Sequence, residues 1–297
     1  MRNFLIKLGT IDRKFIFVLI ALAVLIPLLY PNLIELPIKV DKNTKIVFNS
    51  ISELKSGDKV LLSFAYGAST KPEVHPMAIA LLKHLFAKDI KVYIVSLWPE
   101  SPIMANQAIK EIIDTKLFNL EEGVDYALFD YKTGGFIVIK GIAENFREVY
   151  KQDHNGNLIE DLTIMEDIYS VSDFDFVFDF SAGVPGNAEW VQYACDPKKI
   201  PLSSGCTSIM VTDAIPYVES GQLKGILAGM PGAAEYEKMV YDLLQQELNK
   251  NSNLNKDAVL TKGKALARMS AQSVSHLLMV IFIVLGNVSY YFSRKNN

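Results

Sequence analysis

The first group of residues that could bind a ligand is a short run of hydroxyl and amino side chains. Ser69, Thr70 and Lys71 follow Gly67 and precede a predicted helix. The N–H groups at a helix N-terminus attract anions, so these side chains could help to hold one. The run lacks the two spaced glycines of a phosphate-binding P-loop. The alternative is an ordinary loop that caps the helix.

A second group of polar and small residues lies at the end of a predicted strand. Asp179 is followed by Ser181 and Gly183, and the chain then continues to Trp190 and Tyr193. The carboxylate could orient a ligand or cap a helix, and the glycine could allow close approach of a ligand or simply form a turn. The two aromatic residues could form the walls of a pocket. Ligand binding and a structural role are both open here.

Two further segments place small or nucleophilic residues after predicted strands. Ser203 and Ser204 are followed by Cys206, but a serine or cysteine nucleophile needs a neighbouring base, and the sequence places no histidine beside them. A hydrolase using Ser204 or Cys206 is therefore one alternative. Gly229 and Gly232 form a Gly-x-x-Gly pattern, which could bind a ligand or let a helix pack closely on the sheet, and which alone does not indicate a dinucleotide.

The chain has only two cysteines, Cys195 and Cys206, eleven positions apart. They could form a disulfide if the domain faces an oxidising compartment, or remain two buried thiols. Neither cysteine nor histidine occurs in a closely spaced pair, so the sequence predicts no metal site. No motif indicates a cofactor.

Strands that alternate with helices must position these residues. Apolar runs at 60–64, 91–97, 174–180, 200–203 and 224–228 indicate strands, and helical spacing of apolar residues separates most of them. The runs at 126–130 and 136–139 indicate a hairpin or a broken strand, and the polar segment 151–172 indicates an excursion from the core. Strands that are apolar on both faces favour a doubly wound α/β fold with a mainly parallel sheet of five to six strands, of the Rossmann or flavodoxin type. The α/β domain is predicted to span residues 43–250.

Two long uncharged runs, 15–34 and 269–293, are predicted to be transmembrane helices. The first could also be a signal peptide, but it lacks a small-residue cleavage site. In the second run Gln272, Ser275, His276 and Asn287 are candidates for contact with a partner helix, because polar groups in lipid usually face another helix. Residues 251–268 are interpreted as a polar tether between the domain and the second run.

The basic residues that flank the two runs predict the topology. Residues 1–14 and 294–297 are predicted to be cytoplasmic tails, with the central domain outside the cell membrane. The basic residues just before the second run favour the opposite orientation. Residues 35–268 contain 24 basic and 32 acidic residues, a net charge of −8. This charge is unsuited to nucleic acid.

Three stretches, 60–88, 175–196 and 220–237, together with the apolar run after Ala271, resemble a family of uncharacterised prokaryotic membrane proteins. The resemblance implies a central α/β domain between two transmembrane helices, and it implies no activity. Without a catalytic motif, the sequence favours a non-enzymatic subunit or scaffold of a membrane assembly. Its expected partners are the lipid bilayer and other membrane subunits or further copies of itself. The alternatives are an extracytoplasmic domain that binds or senses a small ligand, and the hydrolase.

Overall fold

The computed structural model describes residues 12–30, 37–250, 255–256, 259 and 263–294. The chain divides into two compact units, one formed by residues 38–265 and the other by residues 1–37 and 266–297. The larger unit contains the α/β domain.

A single six-stranded sheet forms the centre of the larger unit, and all of its strand pairs are parallel. The strands are β1 (Lys59–Ala65), β2 (Lys91–Ser96), β3 (Tyr126–Phe129), β4 (Phe176–Ser181), β5 (Leu202–Cys206) and β6 (Ile226–Ala228). Their order across the sheet is β3-β2-β1-β4-β5-β6. This order is that of the doubly wound Rossmann fold. The predicted α/β class and parallel sheet are thus confirmed.

Helices connect the strands and pack on the sheet. In chain order the described helices are α1 (Arg13–Leu29), α2 (Lys42–Ser52), α3 (Lys71–Ala87), α4 (Ser101–Asp114), α5 (Phe136–Glu144), α6 (Phe146–Val149), α7 (Asn187–Trp190), α8 (Asp196–Lys198), α9 (Val211–Glu219), α10 (Gly229–Lys250) and α11 (Lys264–Arg294). A π-helical turn, Val191–Cys195, joins α7 to α8. Single-turn 3₁₀ helices occupy Ile159–Asp161, Thr163–Met165 and Val171–Asp173.

The strands form because their residues are suited to burial on both faces. β1 and β4 lie side by side at the centre, and nearly every residue in them is buried. Alternate residues of a strand point to opposite faces, so residues that are in register on neighbouring parallel strands share a face. Ser63, Asp179 and Ser204 are in register across β1, β4 and β5. The register therefore brings three polar side chains into one row on one face.

The apolar run 136–139 is a helix, so the predicted hairpin or broken strand is wrong. It forms the first turn of α5, which buries Val138, Ile139 and Ile142 and leaves Ile137 exposed. A short apolar run fits a buried strand and a buried helix turn equally well, and only the spacing of its buried positions distinguishes them.

The polar segment 151–172 packs on the core, contrary to the prediction of an excursion. Met165 and Ile168 are fully buried. The Arg147 side chain of α6 holds the segment in place by donating hydrogen bonds to the backbone carbonyls of Met165, Glu166 and Ile168. Glu160, Asp161, Glu166 and Asp167 are exposed and lie between buried apolar residues, whereas Asp153 is buried.

In the smaller unit the described residues form α1 and most of α11. Within the described part of the chain, Lys264–Tyr291 is the one helix that is long and apolar enough to cross a membrane, with a mean hydropathy of 1.8 in its most apolar stretch. Helix α1 covers only 17 residues, and residues 31–34 of the predicted first span lie outside the described residues. Helix α11 begins at Lys264, so the last part of the predicted tether is helical.

Candidate functional site

The winding of the sheet defines where a ligand would be expected. The strand order reverses between β1 and β4, and in doubly wound sheets ligands bind beyond the carboxyl ends of the strands at this point. The loops there are 66–70, after β1, and 182–186, after β4. They lie on neighbouring strands, since the Ala182 amide donates to the Ala65 carbonyl at 3.0 Å.

The loop after β1 contains the first group of predicted site residues. Ser69 is exposed. The Thr70 hydroxyl donates to the Gly67 carbonyl at 3.3 Å and forms no side-chain cap for α3. The Lys71 ammonium donates to the side-chain oxygen of Gln107 on α4. Lys71 is therefore held by a neighbouring helix, and Ser69 alone of the three side chains is fully presented to solvent.

Glutamate side chains occupy backbone N–H groups at this edge of the sheet. Glu100, which follows β2, accepts a hydrogen bond from the Ala68 amide at 2.7 Å. Glu73, in the first turn of α3, accepts one from the Ser208 amide after β5 at 2.8 Å. Each bond links segments that follow two different strands. An incoming phosphate would compete with these carboxylates for the amides and would be repelled by their charge.

The loop after β4 is fixed in a similar way. The Glu189 carboxylate accepts a hydrogen bond from the Gly186 amide at 2.8 Å, which fixes the residue directly before α7. The Trp98 indole donates to the Val184 carbonyl at 3.1 Å, and its ring packs so closely on Gly183 that a Cβ there would lie 2.9 Å from it. Gly183 thus accommodates the chain's own tryptophan. The Val184 side chain points outwards and is 74% exposed.

Beneath this loop, the row of polar side chains on β1, β4 and β5 is fully buried. The Trp190 indole donates to the Ser63 hydroxyl at 2.8 Å, and the Ser63 hydroxyl donates to Asp179 Oδ1 at 2.8 Å. All three residues are 0% exposed. Trp190 is positioned by α7, immediately before the π-helical turn, and such turns are frequent near functional sites.

Burial governs the charge state of Asp179. Removal from water raises the pKa of its carboxyl group from the ordinary 3.8 to about 7, against the opposing effect of the hydrogen bond from the Ser63 hydroxyl. Its second oxygen, Oδ2, has no hydrogen-bond partner among the described residues. The same is true of the Ser181 and Ser204 hydroxyls and of Asn187 Nδ2. Four buried polar atoms are thus unpaired close to the strand ends, where each costs about 1–3 kcal/mol.

The remaining predicted ligand residues lie apart from this row. Ser203 is buried on the opposite face of β5. Gly229 has a φ of +58°, and a Cβ there would meet Ser208 and Glu73. Gly232 packs against the backbone of Leu227, where a Cβ would lie 2.8 Å from the carbonyl carbon. Both glycines therefore serve close packing within the chain, which was the alternative to ligand binding.

The two cysteines are free and buried, so of the two alternatives left open by the sequence the structure has the pair of buried thiols. Burial raises the pKa of the Cys195 thiol, and it raises that of the Cys206 thiol to about 12. Neither thiol is poised to form a thiolate. The Ser204 hydroxyl is fully buried and has no hydrogen-bond partner among the described residues. This geometry gives no support to a hydrolase with Ser204 or Cys206 as the nucleophile.

The two histidines of α3 are bound to other groups. The His75 Nδ1 atom lies 2.8 Å from the Tyr66 hydroxyl and its Nε2 atom lies 3.5 Å from a Glu111 oxygen. The His84 Nδ1 atom lies 2.8 Å from the Tyr236 hydroxyl. Burial lowers the pKa of His75 to about 4 and that of His84 to about 3. Both side chains are neutral near pH 7 and link helices within the domain.

The structure separates the four helix-partner candidates of α11 into two kinds. The Ser275 hydroxyl donates to the Ala271 carbonyl and the Asn287 amide donates to the Ile283 carbonyl, each at 2.8 Å. Both are satisfied by their own helix. Gln272 and His276 are exposed and make no hydrogen bond to the described residues.

Several residues that shape the site were missed in the sequence. Ser63 is a single serine in an apolar strand, and its role follows only from the register with Asp179. Glu73 and Glu100 look like ordinary surface residues in helical segments, and their amide partners are distant in the chain. Trp98 follows β2 directly, and an aromatic residue at a strand end was the one available signal.

No protein family, curated protein or solved structure matches the chain.

Proposed function

We propose that the chain is a membrane-anchored, non-enzymatic subunit whose α/β domain docks onto another protein of a membrane assembly. The anchor is α11, which could span a bilayer by length and composition. The uncharged run 15–34 is proposed as a second span, with α1 as its first part. The basic flanks 1–14 and 294–297 then favour cytoplasmic termini and an extracytoplasmic domain.

The observation that carries the docking proposal is the state of the carboxyl edge. Glu73, Glu100 and Glu189 already occupy amides that a phosphate ligand would use. The same edge presents large apolar side chains outwards, since Val184 is 74% exposed and Ile209 is 85% exposed. An edge that repels anions and exposes apolar side chains is suited to a protein surface.

The two apolar side chains belong to adjoining loops. Val184 lies in the loop after β4, and Ile209 in the loop after the neighbouring strand β5. The Thr207 amide donates to the Ser181 carbonyl at 3.3 Å, which holds the starts of these loops together. We therefore define the docking edge as Val184 and Ile209 with the acidic residues Glu73 and Glu189 around them.

The proposal is tested by replacing the docking edge in the full chain. The tagged chain is extracted from its native membrane in mild detergent and analysed by native mass spectrometry. Wild type should carry one or more additional subunits, and Val184→Asp with Ile209→Asp should release them. The matched control is Ile113→Asp, a 42%-exposed isoleucine in the last turn of α4, away from the strand carboxyl ends. A wild-type chain that is always a lone monomer, or equal release by the control, would contradict docking.

A second candidate function is binding of a small polar ligand below loop 182–186. Four unpaired buried polar atoms favour it, since a ligand or water that entered could satisfy Asp179 Oδ2, Asn187 Nδ2 and their neighbours. A thermal-shift screen of small neutral polar compounds and amines tests this function. A shift that is present in wild type and absent in Asp179→Asn supports it, and the lack of any shift opposes it.

A further inference from the structure

Helix α9 is poorly covered by the rest of the domain. Of its nine residues only Ala214 is buried, whereas a helix packed on a domain usually buries about three to four positions in two turns. Ile215 is 40% exposed, and Thr212 and Pro216 are also exposed. Ile215 and Pro216 lie three and four positions after Thr212, so the three side chains share one face of the helix. This face is partly apolar and open to solvent.

The open side of α9 adjoins the docking edge. Ile209 of the docking edge lies two residues before α9 begins, and the Asp213 amide donates to the Met210 carbonyl at 3.1 Å across the junction. Glu219 lies three and four positions after Pro216 and Ile215, so it belongs to the same side of the helix. We define the α9 face as Thr212, Ile215 and Pro216 with the carboxylates Asp213 and Glu219.

The charges on this part of the domain are almost all negative. Residues 152–223 contain 12 acidic and two basic residues, whereas the rest of 35–268 contains 20 acidic and 22 basic residues. The two basic residues are Lys198 and Lys199, and the Lys198 ammonium pairs with Glu144 at 3.3 Å. Asp213 and Glu219 are exposed, and neither side chain bonds to any residue that the structure describes. Both carboxylates are therefore available to a partner.

We propose that the docking edge and the α9 face together receive a segment of a different subunit in which lysine or arginine side chains flank apolar ones. The proposal rests on the docking function proposed above and adds the chemistry of the partner. The apolar side chains of the segment cover Val184, Ile209 and Ile215. Its basic side chains pair with Asp213 and Glu219, and such complementary charge makes an interface specific and speeds association.

The negative charge disfavours the two other occupants of an exposed apolar surface. In a symmetric dimer of this chain the same patch meets itself, so the carboxylates of one copy would face those of the other. An anionic lipid surface would repel the same carboxylates. Like charges that face each other across an interface suppress binding. A basic segment of another protein is the occupant whose charge is complementary.

The experiment measures how salt and the two carboxylates affect the native complex. The tagged full-length chain is extracted in mild detergent, held at about 0.1 M or about 1 M NaCl, and analysed by native mass spectrometry during dilution. We expect the additional subunit to stay bound at the lower salt and to dissociate at the higher, where charges are screened beyond about 3 Å. Asp213→Asn with Glu219→Gln should weaken association about fivefold at the lower salt, as expected for two exposed ion pairs.

The matched control removes the same charge elsewhere. Glu160 and Asp161 are exposed in a 3₁₀ turn, and the His154 amide joins their segment to Leu128 of β3 at 3.0 Å. Strand β3 forms the edge of the sheet far from β5. Glu160→Gln with Asp161→Asn should therefore leave both the association and its response to salt unchanged.

A second measurement uses defined probes in place of the natural partner. One amphipathic peptide combines leucine with lysine, and a matched peptide carries glutamate at the lysine positions. Each is titrated against the detergent-solubilised full chain and followed by fluorescence anisotropy. The lysine peptide should bind wild type more tightly than the glutamate peptide does. Asp213→Asn with Glu219→Gln should reduce this preference about fivefold, and the control pair should keep it.

Failure of the charge inference is distinguishable from failure of docking. A subunit that Val184→Asp with Ile209→Asp releases, but that about 1 M salt does not, would leave docking intact and overturn the basic partner. Equal binding of the two peptides, or equal weakening by the control pair, would also overturn it. So would a homodimer or binding to anionic vesicles through this surface. A wild-type chain that is always a lone monomer would contradict docking itself, and this inference with it.

Discussion

Replacing Asp179 by asparagine should change how the stability of the domain depends on pH. The carboxyl group is fully buried and its pKa is raised from 3.8 to about 7. The folded state therefore binds the proton more tightly than the unfolded state does. This contribution to stability is complete below pH 3.8, and it is lost as the pH rises through about 7, because the buried group must then ionise.

The size of the effect follows from the pKa shift. One pKa unit corresponds to about 1.4 kcal/mol, so the shift corresponds to an upper limit of roughly 4 kcal/mol. Asparagine keeps the shape of the side chain, can still accept a hydrogen bond from Ser63, and never ionises. Relative to wild type, Asp179→Asn should be nearly neutral at pH 4.5 and more stable by roughly 2–4 kcal/mol at pH 8.

The assay is urea unfolding of the detergent-solubilised chain, followed by tryptophan fluorescence from pH 4.5 to pH 8. Both tryptophans of the sequence, Trp98 and Trp190, lie in the α/β unit. The difference between variant and wild type is the quantity to compare, because it removes the titration of all other groups. Asp242→Asn, at a carboxylate of α10 that is 48% exposed and paired with Lys238, is the control for the loss of a carboxylate at the surface. A stability difference for Asp179→Asn that is the same at pH 4.5 and pH 8 would refute the reasoning.

Three further predictions follow from other buried positions. In the folded chain Cys195 and Cys206 should resist reaction with maleimide, because both thiols are buried and their pKa values are raised. Unfolding without reductant should make both thiols reactive. A disulfide between them would contradict the structure. Gly186→Ala should destabilise the domain by about 2 kcal/mol, since its Cβ would lie 2.6 Å from the Gly183 carbonyl oxygen, and an unchanged melting temperature would count against this packing. His84→Gln should make the unfolding free energy less sensitive to acid. The wild-type imidazole has a pKa of about 3 in the folded state and 6.5 in the unfolded state, so wild type loses stability as the pH falls below 6.5. Unfolding free energies from urea titrations that fall equally with pH in variant and wild type would contradict this.

Much of the fold could be predicted from the sequence because its strands are continuous apolar runs. The predicted strands at 60–64, 91–97 and 174–180 agree with β1, β2 and β4 to within a few residues at each end. Strand order could not be predicted, since it depends on which strands pair across long separations. The run 136–139 was misassigned because four apolar residues carry too little periodicity to separate a strand from a helix turn.

The candidate site could be predicted only in outline. The rule that ligands bind at strand carboxyl ends directs attention to Asp179 and to the loops that follow β1 and β4, and ligand binding there stays a prediction. What the loops do depends on pairs such as Glu100 with Ala68, which are 32 residues apart in the chain. The burial of Ser204 was equally hidden, because serine is more often exposed and its neighbours in the sequence gave no contrary signal.

The glutamates at the carboxyl edge of the sheet also determine the charge that this edge presents to a ligand. The Ala68, Gly186 and Ser208 amides lie in segments that follow three different strands, and Glu100, Glu189 and Glu73 respectively bind them from within the chain. Neutral residues at the three positions would free the amides and remove the local negative charge, and basic residues would also reverse its sign. Removal of the three carboxylates would thus take away the negative charge that opposes an anionic ligand at this edge.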